Sequence, residues 1–153
     1  MNQNRRELLR IATVMGLAVS AGIFKTSDAM AADWNASGFD AKTLADALKK
    51  IGADGAAVSA DVAITGPEIA ENGAVVPVTV VSKLPNTEYM AILVEKNPNP
   101  LSAAFTLPEG TEPVIGTRVK MGGTSNVHAL VKAGGKWFVA SKEIKVTLGG
   151  CGG

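Results

Sequence analysis

Cysteine and histidine are almost missing from this chain: its 153 residues hold one of each, Cys151 and His128. A lone cysteine rules out an internal disulfide. One histidine and one cysteine cannot supply the two histidines and a cysteine of a blue-copper site, nor the four ligands of structural zinc. Carboxylates are scattered, with no acid/base pair among them, so nothing points to a cofactor or to catalysis by the chain itself. A basic excess is absent as well. The formal net charge is +1, which gives no electrostatic footprint for nucleic acid. Internal repeats, coiled-coil heptads and low-complexity tracts are lacking, apart from the glycines near the end.

What is present begins with an address label. Arg5 and Arg6 form a twin-arginine pair, Arg10 adds a third positive charge, and residues 11–24 carry no charge. Ala29-Met30-Ala31 then offers an A-x-A cleavage site. The uncharged run is 14 residues long, short of the ~20 needed for a membrane-spanning helix. Residues 1–31 therefore read as a twin-arginine signal peptide, which sends folded chains to the periplasm; ordinary export of the same segment is the alternative. Lys25, between the apolar run and the cut, suits the twin-arginine route. Cleavage would remove four of fifteen basic and two of fourteen acidic residues, leaving 122 residues with eleven basic against twelve acidic. That is one domain's worth of chain.

Residues 32–148 are expected to form a mainly β domain. After a polar lead-in, Asp40 is placed to cap a helix over 41–51, with Leu44, Leu48 and Ile51 on one face and Gly52 as the stop. Strands are expected over 58–64, 75–81, 89–95, 101–107, 116–121, 125–132 and 136–148. Turn chemistry separates them, including Glu71-Asn72-Gly73, Asn97-Pro98-Asn99-Pro100 and Gly134-Gly135. About seven short strands at this spacing match an immunoglobulin-like β-sandwich. Pro77 marks its strand as an edge. Alternation over 125–132 puts Val127, Ala129 and Val131 on one face and Asn126, His128, Leu130 and Lys132 on the other. His128 then suits a solvated or interface position better than a role as base for Cys151. Leu130, on an otherwise polar face, reads as a surface leucine and a candidate partner contact.

The sequence finishes "LGGCGG". Gly149, Gly150, Gly152 and Gly153 surround Cys151 with residues that bury nothing, while ordering each would cost about 1–2 kcal/mol of backbone entropy. Residues 149–153 are thus expected to be a flexible arm, thin enough for a narrow tunnel. Its thiol would reach roughly 10 Å beyond Leu148. No basic residue lies nearer than Lys145, and the terminal carboxylate repels a thiolate by roughly 0.6 kcal/mol, so activation must come from outside the chain. A lone cysteine in an exported protein either pairs with another molecule or is a free reactive thiol. Its position fits neither a lipoprotein nor a prenylation signal. Two functions remain: a covalent carrier working through Cys151, or a β-sandwich binding module that uses Cys151 for an intermolecular disulfide.

The twin-arginine segment, the β-rich domain and the ending "KEIKVTLGGCGG", with "VEKNPNPL" and "SNVHALVKAGGKWFVAS" further in, resemble the SoxY family. These are the sulfur-carrier subunits of the bacterial thiosulfate-oxidising Sox system. The resemblance implies a non-catalytic carrier that forms a heterodimer with a SoxZ-like β-sandwich subunit. It implies that Cys151 receives thiosulfate through a SoxAX-like cytochrome. A SoxB-like di-manganese hydrolase would then release sulfate and leave a persulfide, and a sulfane dehydrogenase or another acceptor would clear the remaining sulfur. Reversible disulfide dimers through Cys151 are expected of so exposed a thiol. Neither nucleic acid nor membrane is an expected partner.

Overall fold

The computed structural model describes residues 35–147. The signal segment 1–31, Leu148 and the arm 149–153 lie outside the described residues. Two helices come first, α1 (Ala36–Phe39) and α2 (Leu44–Ile51), followed by β1 (Ala57–Val58), β2 (Val62–Thr65), β3 (Ile69–Ala70), β4 (Val76–Ser82), β5 (Thr87–Val94), β6 (Leu101–Thr106), β7 (Val114–Val119), β8 (Ser125–Ala133) and β9 (Lys136–Val146).

The helices depart from the single one expected over 41–51. Asn35 caps α1 by accepting a hydrogen bond from the Gly38 amide at 2.9 Å, so the polar lead-in is itself a helical turn. Asp40 closes that turn rather than opening the next helix. Thr43 caps α2, its hydroxyl oxygen accepting from the Asp46 amide at 3.1 Å. A threonine oxygen satisfies an orphan first-turn amide much as an aspartate does, so either residue type can open a helix here. Gly52 ends α2 in the left-handed conformation, φ 82°, as expected of a glycine stop.

The strands build an immunoglobulin-like sandwich. One sheet has the order β1-β9-β8-β5-β6, with β3 also on β9; the other has the order β2-β4-β7. Neighbours are antiparallel except β1 and β3, which both run parallel to β9. Between the sheets lies a core of Val76, Val78 and Val80 from β4, Met90, Ile92 and Val94 from β5, and Val127, Ala129 and Val131 from β8. Ile144 of β9 completes it, fully buried. The expected inward face of β8 is the observed one.

Pro77 does not mark an edge strand, because β4 is central in its sheet. The pairing with β2 stops at Thr79, while Pro77 still faces Arg118 of β7. The missing N–H therefore costs no ladder bond on the β2 side: the strand is an edge only locally.

Leu130 corrects a second expectation. It is 0% exposed, because the outer face of the large sheet is roofed by the helices. Leu93, Leu101 and Leu130 pack there with Ala41, Ala47 and Ala53, and with Leu44, Leu48 and Ile51 of α2. Consequently β5 is buried on both faces from Met90 onward, the signature of a covered sheet. Tyr89 and Trp137 close the roof's margin edge to face, centroids 5.5 Å apart. The "NPNP" turn stitches the layers together. The Asn99 amide donates to the Phe39 carbonyl at 2.8 Å. The Asn97 amide donates to the Lys120 carbonyl at 2.7 Å, and its oxygen accepts from the Gly122 amide at 3.1 Å.

Candidate functional site

Cys151, Gly149, Gly150, Gly152 and Gly153 lie outside the described residues, so the site is read from the strand that leads to them. β9 is eleven residues long, one continuous strand over most of the expected run 136–148. It pairs with β8 from Lys136 to Ile144. Beyond that point β3 takes over, Ile69 opposite Lys145 and Ala70 opposite Val146. The Lys145 amide donates to the Glu68 carbonyl at 2.9 Å and the Thr147 amide to the Ala70 carbonyl at 3.1 Å. On the other flank the Val146 amide donates to the Thr124 hydroxyl oxygen at 3.0 Å. The backbone is thus held on one flank up to Thr147, four residues before Cys151, and on the other up to Val146.

Glycine makes this closure possible. A Cβ on Gly73 would sit 2.5 Å from the Met121 carbonyl oxygen and 2.8 Å from Val146 Cγ1, far inside contact distance. The Met121 amide donates to the Gly73 carbonyl at 2.7 Å. The 71–75 turn therefore lies directly on Val146. In the sequence Glu71-Asn72-Gly73 signals only a turn, and β3 gives no sign, since two residues are too few for alternation to show. Thr124 carries no signal at all.

His128 has its own partners. Its Nδ1 is 2.7 Å from Ser141 Oγ, its Nε2 is 3.3 Å from Glu95 Oε2, and its side chain is 14% exposed. Asn126 donates to the same Glu95 oxygen at 3.0 Å. These bonds, from Asn126 and then His128, hold the Glu95 carboxyl below its ordinary value. Both ring nitrogens are engaged. His128 is opposite Ser141, six residues before Thr147, or roughly 20 Å along a strand. The four residues to Cys151 span at most about 14 Å, and reversing direction uses about two of them in a turn. His128 is out of reach of its own Cys151.

Among the described residues, no other titratable group converges on the arm root. Lys145 is exposed, as are Glu68 and Glu71 beside it. Among the same residues no three His, Cys, Asp or Glu side chains gather to hold a metal ion, and no helix is long and apolar enough to cross a membrane. What the described residues provide is a rigid mount for whatever follows Thr147.

Known proteins share this architecture. The family model described as "Sulfur oxidation protein SoxY" matches residues 48–151. Among solved structures, the chain is similar to the sulfur carrier protein SoxY from Chlorobium limicola f thiosulfatophilum. Identity is 38%, the match covers 71% of this chain and 95% of that one, and the TM-score is 0.63. The superoxide reductase (neelaredoxin) from Ignicoccus hospitalis matches at 18% identity over 56% of this chain and 80% of that one, with a TM-score of 0.51. At that identity the likeness is one of fold alone. No curated protein matches the chain.

Proposed function

We propose that this chain, which belongs to the SoxY family of sulfur oxidation proteins, carries its sulfur covalently on Cys151 during thiosulfate oxidation. The carrier works in the periplasm, reached through the twin-arginine segment 1–31. The observation that supports this reading most directly is the family match, which runs through the whole of β9 and ends on Cys151 itself. The mount adds a mechanical reason. A carrier needs a firm body and a cargo atom that can leave it, and the last backbone bond to the domain among the described residues is at Thr147, just before Leu148 and the first two glycines.

The chemistry proceeds through the thiolate. The Cys151 thiolate and the outer sulfur of thiosulfate join by an S–S bond to give Cys151–S–S–SO₃⁻, and two electrons leave to a SoxAX-like cytochrome. Water then cleaves the bond between the outer sulfur and the sulfonate on a SoxB-like di-manganese hydrolase. The products are Cys151–S–S⁻, sulfate and two protons, with no further electron transfer. A sulfane dehydrogenase then takes six electrons from the outer sulfur, with three waters supplying its oxygens, to give Cys151–S–SO₃⁻, and a second hydrolysis by the SoxB-like enzyme releases sulfate and returns the thiolate. Alternatively, a sulfur acceptor takes the outer sulfur as a neutral atom and leaves the thiolate directly. Sulfur suits the task because a soft thiolate forms S–S bonds that later exchange. The chain itself is not an enzyme: it supplies attachment and delivery, and its sulfur is cargo rather than a resident cofactor. A SoxZ-like β-sandwich subunit completes the carrier as a heterodimer.

Intact-mass analysis after thiosulfate turnover tests the reading. Wild-type chain is expected to gain sulfur-containing adducts that reductant removes, and Cys151→Ser is expected to gain none and to stop turnover. Unmodified wild type during active turnover, or full activity in Cys151→Ser, overturns it. A stable Cys151 disulfide dimer that takes up no sulfur would instead make the chain a binding module.

A further inference from the structure

Of the asparagines in the sequence, Asn72 alone is followed by glycine, and each residue of the pair has its own structural reason. The Asn72 side-chain oxygen accepts a hydrogen bond from the Ala74 amide at 2.9 Å, and the Asn72 carbonyl accepts from the Val75 amide at 3.4 Å. The side chain thus curls over the following peptide and closes the turn, a task that asparagine does well. Gly73 is required for space. Its φ is not positive, but a Cβ there would collide with the Met121 carbonyl oxygen. Two structural demands, met side by side, create a chemically labile dipeptide.

With no side chain on Gly73, nothing shields its amide nitrogen from the Asn72 side-chain carbon. Among the described residues that amide donates no hydrogen bond, so it is free to act as a nucleophile. The Ala74 amide is aimed at the oxygen on which negative charge develops during attack. Asn72 is exposed, so water and hydroxide reach the pair. The other asparagines of the domain lack this combination. Asn97 and Asn99 precede prolines, which have no N–H, and Asn86 and Asn126 precede β-branched residues that crowd the nitrogen.

We propose that Asn72 is a site of spontaneous backbone modification. The Gly73 nitrogen gives up its proton and bonds to the Asn72 side-chain carbon. The bond to the side-chain nitrogen breaks, ammonia leaves with a proton from solvent, and a five-membered succinimide remains. Water then adds to one of the two ring carbonyls and breaks a ring C–N bond, giving isoaspartate or aspartate. No electrons are exchanged. Isoaspartate routes the main chain through the former side chain and lengthens it by one carbon, about 1.5 Å. The turn has no slack for that, because Gly73 already lies against Met121 and Val146. The Met121 amide therefore loses its 2.7 Å bond to the Gly73 carbonyl, and the turn lifts from Val146. The chemistry needs only Asn72, Gly73 and water, so it holds whatever Cys151 carries.

The full chain, folded in mildly alkaline buffer, is expected to accumulate isoaspartate at position 72, read by peptide mapping and isoaspartyl methyltransferase labelling. Its other asparagines stay intact. Conversion is expected to quicken as pH rises, since the attacking nitrogen must lose a proton. Asn72→Gln, whose longer side chain would have to close a six-membered ring, is expected to stay unmodified. In the isoaspartyl fraction, separated by ion exchange, the Met121 amide is expected to exchange at least about tenfold faster, while the Ala129 amide keeps its rate. Freshly prepared Asn72→Asp retains an oxygen for the Ala74 amide and is expected to exchange at Met121 as the wild type does. A folded chain that forms no isoaspartate at position 72, over a time in which the guanidinium-unfolded chain does, overturns the inference. So does a Met121 amide that exchanges alike in modified and unmodified chains, or that quickens equally in Asn72→Asp.

Discussion

At the scale of single residues, Leu130 shows how far alternation reads and where it stops. Period two assigns it to the face opposite Val127, Ala129 and Val131, and that face is the observed one. It cannot say that a second layer covers the face, because what covers Leu130 is a helix from the other end of the domain sequence. Leu130→Ala is therefore expected to cost about 2–5 kcal/mol, the usual loss for a buried leucine; a surface leucine would cost under about 0.5 kcal/mol. Urea unfolding midpoints separate the two. Glu95 makes a pH-dependent counterpart. Its carboxyl sits below the ordinary value of 4.5 because Asn126 and His128 hydrogen-bond to the charged form. The folded state thus gains stability that is fully present above that ordinary value and is lost as pH falls through the lower, folded value. Glu95→Gln is expected to flatten the decline in stability below about pH 4.5, and unfolding midpoints on either side of that pH check it. Because the side chain is substantially exposed, the effect should be small.

At the scale of elements, long strands were legible and short ones were not. β4 to β9 are each six residues or more, enough for apolar alternation and flanking turn residues to agree. The two-residue strands β1 and β3 exist because β9 offers them a free edge, a tertiary cause with no local signal. That silence hides the arm root, since β3 and Thr124 hold the last residues of the mount. The Thr124 hydroxyl is the acceptor that the structure gives the Val146 amide. Thr124→Val keeps the shape and removes it, which should cost about 0.5–1.5 kcal/mol. Exchange of the Val146 amide is expected to quicken by up to about tenfold, while amides of the inter-sheet core, such as Ala129, keep their rates. Quickening spread evenly over β8 and β9 would mean instead that the whole sheet had loosened. The arm residues lie outside the described residues, so their reading rests on the sequence alone, on glycines and a solitary cysteine.

At the scale of the whole molecule, the large sheet serves two cores of unequal strength. The inter-sheet core is built from valine, isoleucine and methionine on strands bonded to one another. The roof rests on an eight-residue helix and a single turn, with alanines at several of its closest contacts. Helices this short are marginal without tertiary support, and each alanine buries little apolar area. The roof should therefore open before the sandwich does. Native-state hydrogen exchange is expected to show the α2 amides, such as Ala47, opening at a lower free energy than Ile92 or Ala129, and with a weaker denaturant dependence because less surface is exposed. Asn99→Ala, which removes the bond to the Phe39 carbonyl and a contact with Lys42, is expected to lower the roof's opening free energy by a further ~1 kcal/mol and to leave the sandwich amides unchanged. A single opening free energy for all these amides would show one cooperative unit and refute the division. The arm root belongs to the stronger unit, since Ile144 is packed between the sheets and Val146 follows it. A mount that stays folded while the roof opens keeps β9 anchored up to Thr147.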